Sequence, residues 1–197
     1  RMALYRRTQP HEGFAILRRL GARLRHGARV FTSNVDGQFQ RAGYAEAEVT
    51  EGHGAIDFVQ CTRACGLGVV RYEGEAPHVD EESFRASPPL PSCERCGALL
   101  RPNVLMFGDF AWEADRTSAQ ERRLEAWLAQ LGLPEARLVG VECGAGHAVP
   151  PGRHPRVAPL PSPPYPRTHD AHYPRRALFL GHRRWLRQSV PGRSRPP

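Results

Sequence analysis

Four of the five cysteines in this chain fall into two close pairs, Cys61 with Cys65 and Cys93 with Cys96, and 27 residues separate the pairs. Thiols this dense constrain a fold more than any hydrophobic pattern does. Each pair sits on a tight turn that aims two sulfurs at one point, and folding brings the pairs together as a tetrahedral Zn²⁺ site. Gly66 and Gly97 each follow the second cysteine of a pair, where the backbone must turn beneath a metal. Two disulfides are the alternative use of four cysteines, and a reducing compartment disfavours them. Four thiolates leave no open coordination position, so the zinc would be structural. The stretch between the pairs carries the acidic cluster Asp80-Glu81-Glu82, and a module of about residues 60–100 is expected. Cys143 stands apart in an apolar run and reads as a core thiol.

The remaining composition narrows the function classes. Residues 151–197 hold 10 of the 28 arginines, one acid (Asp170) and 11 of the 19 prolines. Their net charge is +9, whereas residues 1–150 carry −1, so the pI of 9.9 describes the tail. A neutral body and an aperiodic Pro/Arg tail argue against nucleic-acid binding. A mean hydropathy of −0.52 with no long apolar run argues against a membrane span. Such a tail buries too little apolar surface to offset its ordering entropy, so 151–197 is expected to be disordered and off the body, with Ala177 to Leu180 its one apolar run. The chain begins at Arg1 and contains no lysine, which fits a truncated start and a GC-rich gene with a divergent or out-of-frame end. No secretory pattern is legible, and the expected location is cytoplasmic.

Residues 1–150 alternate helix and strand. Phe14, Leu17, Leu20 and Leu24 mark an amphipathic helix over 11–25. Arg29–Thr32, Ile56–Val59 and Asn103–Phe107 read as strands, the last stopped by Gly108. Thr117 to Leu131 predicts a second amphipathic helix with Leu124, Trp127, Leu128 and Leu131 on one face and Thr117 or Ser118 as cap. Arg137–Cys143 is a final strand running into Gly144-Ala145-Gly146. Loops of ligand type at the C-terminal ends of strands point to an α/β fold: a partial Rossmann-type parallel sheet over 1–150 with the zinc module inserted.

Three segments, in order, resemble the sirtuin family. Phe31-Thr32-Ser33-Asn34-Val35-Asp36-Gly37 looks like the family's Thr-Gln-Asn-Ile-Asp-Gly motif. Glu51-Gly52-His53-Gly54 resembles its His-Gly segment, eight residues before the first zinc cysteine. Leu100 to Asp109 resembles Leu-Arg-Pro-x-Val-x-x-Phe-Gly-Glu. The resemblance implies an NAD-dependent protein-lysine deacylase that moves the acyl group from lysine to the ADP-ribose of NAD and releases nicotinamide. It implies His53 as general base toward the ribose, with Asn34 and Asp36 lining the nicotinamide pocket beside Ser33. It also implies Gly144, Ala145 and Gly146 as a cofactor loop. Val104, Phe107 and Gly108 would pair with an acyl-lysine peptide as an added strand. Cys61, Cys65, Cys93 and Cys96 would hold zinc, and Met106 would be core.

The departures matter equally. The family's Gly-Ala-Gly-Ile-Ser loop has no counterpart before Val30, Ser33 replaces Gln, and Gln38-Phe39 replaces Leu-His. Past Pro150 nothing resembles the family's last strands. The chain is therefore expected to be an incomplete form with little or no NAD turnover as it stands. The alternative is a zinc-stabilised peptide-binding module or pseudoenzyme. Acyl preference and oligomeric state are not legible in these residues.

Overall fold

The computed structural model describes residues 1–131, 137–143 and 176–182; residues 137 and 176–182 are described as backbone. Short helix α1 (Met2–Arg7) precedes α2 (Glu12–Ala22), which begins where His11 Nδ1 accepts a bond from Gly13 N at 3.1 Å. Phe14 on α2 is buried. Leu17 and Leu24 join it against Val30 and Val49, whereas Leu20 lies on the outer edge. Phe14, Phe39 and Tyr44 stack edge to face at 4.9 and 5.2 Å, the geometry that ring quadrupoles favour.

Strand β1 (Ala28–Thr32) buries alternate residues, so neighbours along it face opposite sides. Val30 meets α2, while Phe31 packs on Leu124, Trp127, Leu128 and Leu131 of α4 (Asp115–Gln130) and just beyond its end. One helix thus covers each face of the strand, as doubly wound sheets require. After β1 come α3 (Gln38–Arg41), a 3-10 turn (Glu46–Glu48) and β2 (Val49–Glu51), parallel to β1. The expected cap of α4 is corrected: the helix starts at Asp115 without a side-chain cap, and the Thr117 hydroxyl instead donates to the Glu51 carbonyl at 3.1 Å.

The strands after β2 form a separate sheet. β3 (Gly54–Cys61) pairs antiparallel with β4 (Val70–Arg71) on one side and β5 (Leu100–Val104) on the other. The runs at 56–59 and 100–107 therefore build the base of the cysteine module rather than the main sheet. β5 also ends at Val104, earlier than expected, and Phe107-Gly108 lie in a turn.

The main sheet has the order β2-β1-β7-β6, with β6 Arg137–Cys143 and β7 Arg176–His182. β7 is antiparallel to both β1 and β6, so β1, β2 and β6 share one direction. The parallel core is as expected; β7 within it is not. The expected disorder of 151–197 is corrected for 176–182, where the apolar run Ala177–Leu180 suits a strand with neighbours on both sides. Cys143 is exposed rather than a core thiol, because it lies at the open end of edge strand β6.

Leu124 is 2% exposed between α4 and the sheet. Leu124→Ala should lower unfolding stability by about 2–5 kcal/mol through lost burial and a residual cavity. Urea unfolding followed by circular dichroism checks this; an unchanged midpoint would show that α4 does not pack as described.

Candidate functional site

The register of the main sheet creates the site. Thr32 pairs with Glu51, so the segments leaving β1 and β2 emerge side by side from the same edge. Gly52 N donates to the Thr32 carbonyl at 2.8 Å, and His53 follows at once. His53 Nδ1 lies 3.1 Å from the Ser33 carbonyl. A carbonyl can only accept, so Nδ1 carries the proton and Nε2 presents its lone pair outward. The ring is exposed, free to meet a reactant.

The loop Ser33–Gly37 is pinned at several points. Asn34 N donates to Thr32 Oγ1 at 3.1 Å, Ile56 N to the Val35 carbonyl at 2.8 Å, and Gln38 N to Asp36 Oδ1 at 3.1 Å. Asp36 thus supports the start of α3. Asn34 Nδ2 is buried with no hydrogen-bond partner within the protein. A buried amide donor of that kind calls for an acceptor oxygen from a ligand.

The third segment arrives through β5. Leu105 N donates to the His53 carbonyl at 3.0 Å, and Val104 pairs with Gly54. Gly54 has a φ of +75°, and a Cβ there would lie 2.0 Å from the Asn103 carbonyl oxygen. Only glycine permits so close an approach of β3 to β5. Beyond Val104 the chain turns outward: Phe107 is fully exposed and Gly108 has a φ of +69°. Met106 is exposed as well, which corrects its core reading, since β5 has ended two residues earlier. The structure therefore gathers His53, Ser33, Asn34 and Val104 at one edge, with Asp36 in the same loop. Gly144, Ala145 and Gly146 lie outside the described residues.

Three polar groups that the motifs did not reveal hold these segments. Glu51 is 1% exposed, and its carboxylate accepts from Arg116 at 2.6 Å and from Gln120 Nε2 at 3.3 Å. Glu51 N in turn donates to Gln120 Oε1 at 2.9 Å. Arg116 also stacks 3.7 Å from the Phe58 ring centroid. Asn103 Nδ2 donates to Gln60 Oε1 and to the Glu113 carbonyl, both at 2.8 Å, which ties β5 and β3 to the start of α4. Arg101 grips Asp109 through two bonds of 2.7 and 3.0 Å and closes the loop that contains Phe107 and Gly108. Thr117 and Gln120 continue the Leu124 face of α4 at helical spacing, so the periodicity pointed inward through polar residues. That was the one signal available.

At the far end of β3 lie the four cysteines. Their sulfurs all fall within 4.8 Å of one another, with Cys61–Cys96 and Cys65–Cys93 at 3.5 Å. A disulfide needs about 2.05 Å, whereas tetrahedral Zn–S bonds of about 2.3 Å place sulfurs about 3.8 Å apart. The donor set and spacing fit zinc. Gly66 and Gly97 take φ values of +85° and +71°, as turns beneath a metal demand. The Arg63 backbone N–H on Cys61 Sγ draws that thiol down to about 7. Burial pushes the Cys65 thiol up to about 12, so loading the site must displace its proton.

Comparison with known proteins follows from this geometry. Residues 1–128 match the Sir2 family. The chain is 37% identical to NAD-dependent protein deacylase 1 of Archaeoglobus fulgidus over 102 residues, 52% of this chain and 35% of that protein. It is 37% identical to an NAD-dependent protein deacylase of Aquifex aeolicus over 106 residues, 54% of this chain and 38% of that one. A Sir2 homologue solved with NAD gives 30% identity and a TM-score of 0.45 over 62% of this chain and 42% of the homologue. The chain therefore spans 35–38% of the length of these two relatives.

Two outcomes are expected. Purified protein should contain one zinc per chain, and Cys93→Ser should release it and unfold the module. Affinity should rise with pH, because protons compete for the sulfurs; elemental analysis and a chelator titration across pH check both. The Arg101 guanidinium holds Asp109 below the usual carboxylate range. Its contribution to loop order is therefore present above the ordinary carboxylate pKa and is lost as pH falls through the lowered value. Amide exchange at 105–110 should speed up on acidification and stay fast at all pH in Asp109→Asn.

Proposed function

The chain belongs to the Sir2 family, and on that premise we propose that it serves an NAD-dependent protein-lysine deacylase, the activity named for its relatives. The observation that carries this reading is the Nε2 lone pair of His53, fixed by the Ser33 carbonyl beside the unpartnered amide of Asn34.

The residues present fit the nicotinamide and ribose end of the cofactor. Asn34 Nδ2 offers a buried donor to an oxygen of that end, and Asp36 keeps the loop in register through Gln38 N. When bound, NAD supplies the nicotinamide leaving group and the ribose hydroxyl that takes up the acyl group. His53 then takes the hydroxyl proton at Nε2, while Nδ1–H stays on the Ser33 carbonyl and holds the ring plane. A neutral imidazole near physiological pH suits that transfer. Val104, Phe107 and Gly108 offer backbone and surface to an extended acyl-lysine peptide, whose main-chain bonds would continue the β3–β5 ladder.

We read residues 1–150 as the catalytic core, with the module of about 60–100 inserted and 151–197 as a separate Pro/Arg-rich segment. A Cys₄ site favours the cytoplasm, where thiols stay reduced. Among the described residues no helix is long and apolar enough to cross a membrane.

The test joins this chain behind the first strand and glycine-rich loop of the Archaeoglobus relative and assays deacetylation of an acetyl-lysine peptide. His53→Ala should cost roughly 10²–10⁴-fold in turnover, the usual worth of a positioned base. Zinc content and the unfolding midpoint should not change. Equal turnover without His53 would overturn the reading. Peptide binding with no turnover in the joined protein would favour the peptide-binding module.

A further inference from the structure

The main sheet contains one strand that runs against all the others. β1, β2 and β6 share a direction, and β7 lies between β1 and β6 in the opposite one. It pairs from Ala28↔Leu180 to Thr32↔Arg176 on one side and from Arg137↔His182 to Cys143↔Arg176 on the other. Removing β7 would leave two co-directional strands facing each other across about 9.6 Å, twice the strand spacing, which is a slot one strand wide.

In a doubly wound sheet the central strand runs parallel to its neighbours, and the turn at its C-terminal end holds phosphates. β7 brings its beginning, Arg176, to the edge where the Ser33–Gly37 loop stands, so it delivers no such turn there. It also follows β6 after residues 144–175, whereas antiparallel neighbours are commonly joined by 2–5 residues, so its pairing is closed through a long loop. Its string Ala177-Leu178-Phe179-Leu180-Gly181, bounded by arginines and His182, has the continuous apolar character of a strand central to a sheet. β7 thus supplies backbone bonds and apolar residues to the slot in the direction that leaves the phosphate edge unfinished.

We propose that β7 is an exchangeable plug, and that the slot between β1 and β6 receives an extended apolar strand from a second polypeptide, parallel to β1 and ending in a glycine-rich turn. The inference rests on sheet direction and not on the role of His53, so the two stand or fall separately. An incoming parallel strand satisfies the same rows of N–H and C=O groups, and it places its C-terminal turn beside Asn34. β7 must leave for it to enter, which makes binding competitive.

The experiment uses the full chain and a fluorescein-labelled peptide of seven Val and Ile residues followed by Gly-Ala-Gly. Phe179→Pro removes a backbone donor from the middle of β7, opposite Arg29 and Gly140. This variant should bind the peptide at least tenfold more tightly than the unmodified chain. A nitroxide at the peptide's C-terminal end should broaden signals at Thr32 and Ser33, not at Ala28. Equal affinity for both chains, no binding to the folded variant, or broadening at Ala28 overturns the proposal. Should Phe179→Pro lose its zinc and helix content, a chain ending at Pro150 takes its place with the same criteria. Independently, amide exchange in the unmodified chain should run at least tenfold faster in β7 than in the β1–β2 pairing. Matching rates would mean β7 leaves only when the sheet unfolds, and exchange would be excluded.

Discussion

A carboxylate with 1% exposure has no water to stabilise it, so Glu51 must be met by the protein at every polar atom. α4 meets it: Arg116 and Gln120 take the carboxylate, Gln120 takes the N–H, and Thr117 takes the carbonyl. These bonds are directional, so they fix the rotation of α4 and its distance from β2 together. Apolar packing of Leu124 and Trp127 could tolerate a slide along the sheet; the Glu51 contacts cannot. His53 sits two residues past that anchor, and its position on the sheet edge follows from it. Removing Arg116 alone would strand a buried charge, the costly way to break such a pair.

From the same point β3 carries the constraint outward. It starts immediately after His53 and ends at Cys61, while β5 returns from near Cys96 to the loop at Val104. One antiparallel ladder therefore has the cysteines at one end and the imidazole with its neighbouring loop at the other, roughly 25 Å apart by strand rise. The pairing shifts between Ala55 and Val59, so the two ends twist relative to each other. Metal chemistry never reaches the site. What zinc supplies is register: without a closed module, nothing at the far end would hold β5 against β3.

Much of this was legible because the signals were local. Cysteine spacing, the heptad-like faces of α2 and α4, and the short strand before Ser33 each depend on neighbours within a few residues. The parts that escaped depend on partners far along the chain. β2 is three residues long, with Glu51 at its end, and carries no apolar alternation. β3 and β5 read as generic strands, and only the Gly54–Asn103 approach and the cysteines behind them say that they pair with each other. Thr117 resembled a cap because hydroxyls at helix starts commonly are; here the distant Glu51 carbonyl claims it. Exposure of Met106 and Cys143 follows from where strands end, the least readable feature of any sequence. β7 was hidden by its surroundings, since Pro and Arg on both sides outweigh five apolar residues in any compositional average. The candidate site was legible as motifs, but the groups that seat it were not, because Glu51, Gln60 and Asn103 act through contacts more than 40 residues away.

The distribution of buried polar atoms carries the argument one step further. Within the scaffold they are satisfied: Gln60, Thr117 and the Glu51 carboxylate all have partners. The buried side-chain atoms left without one, among the described residues, are Asn34 Nδ2, Gln38 Oε1, Asn103 Oδ1, Trp112 Nε1 and Arg116 NH1. All of them fall in two stretches, 34–38 and 103–116, which are the loop after β1 and the passage from β5 into α4. Folding alone should spread such defects or remove them, because each costs on the order of 1–3 kcal/mol. Their confinement to the segments that flank His53 is what a cleft built to complete its hydrogen bonds with a polar ligand would show. The scaffold is finished; the site is the part left open.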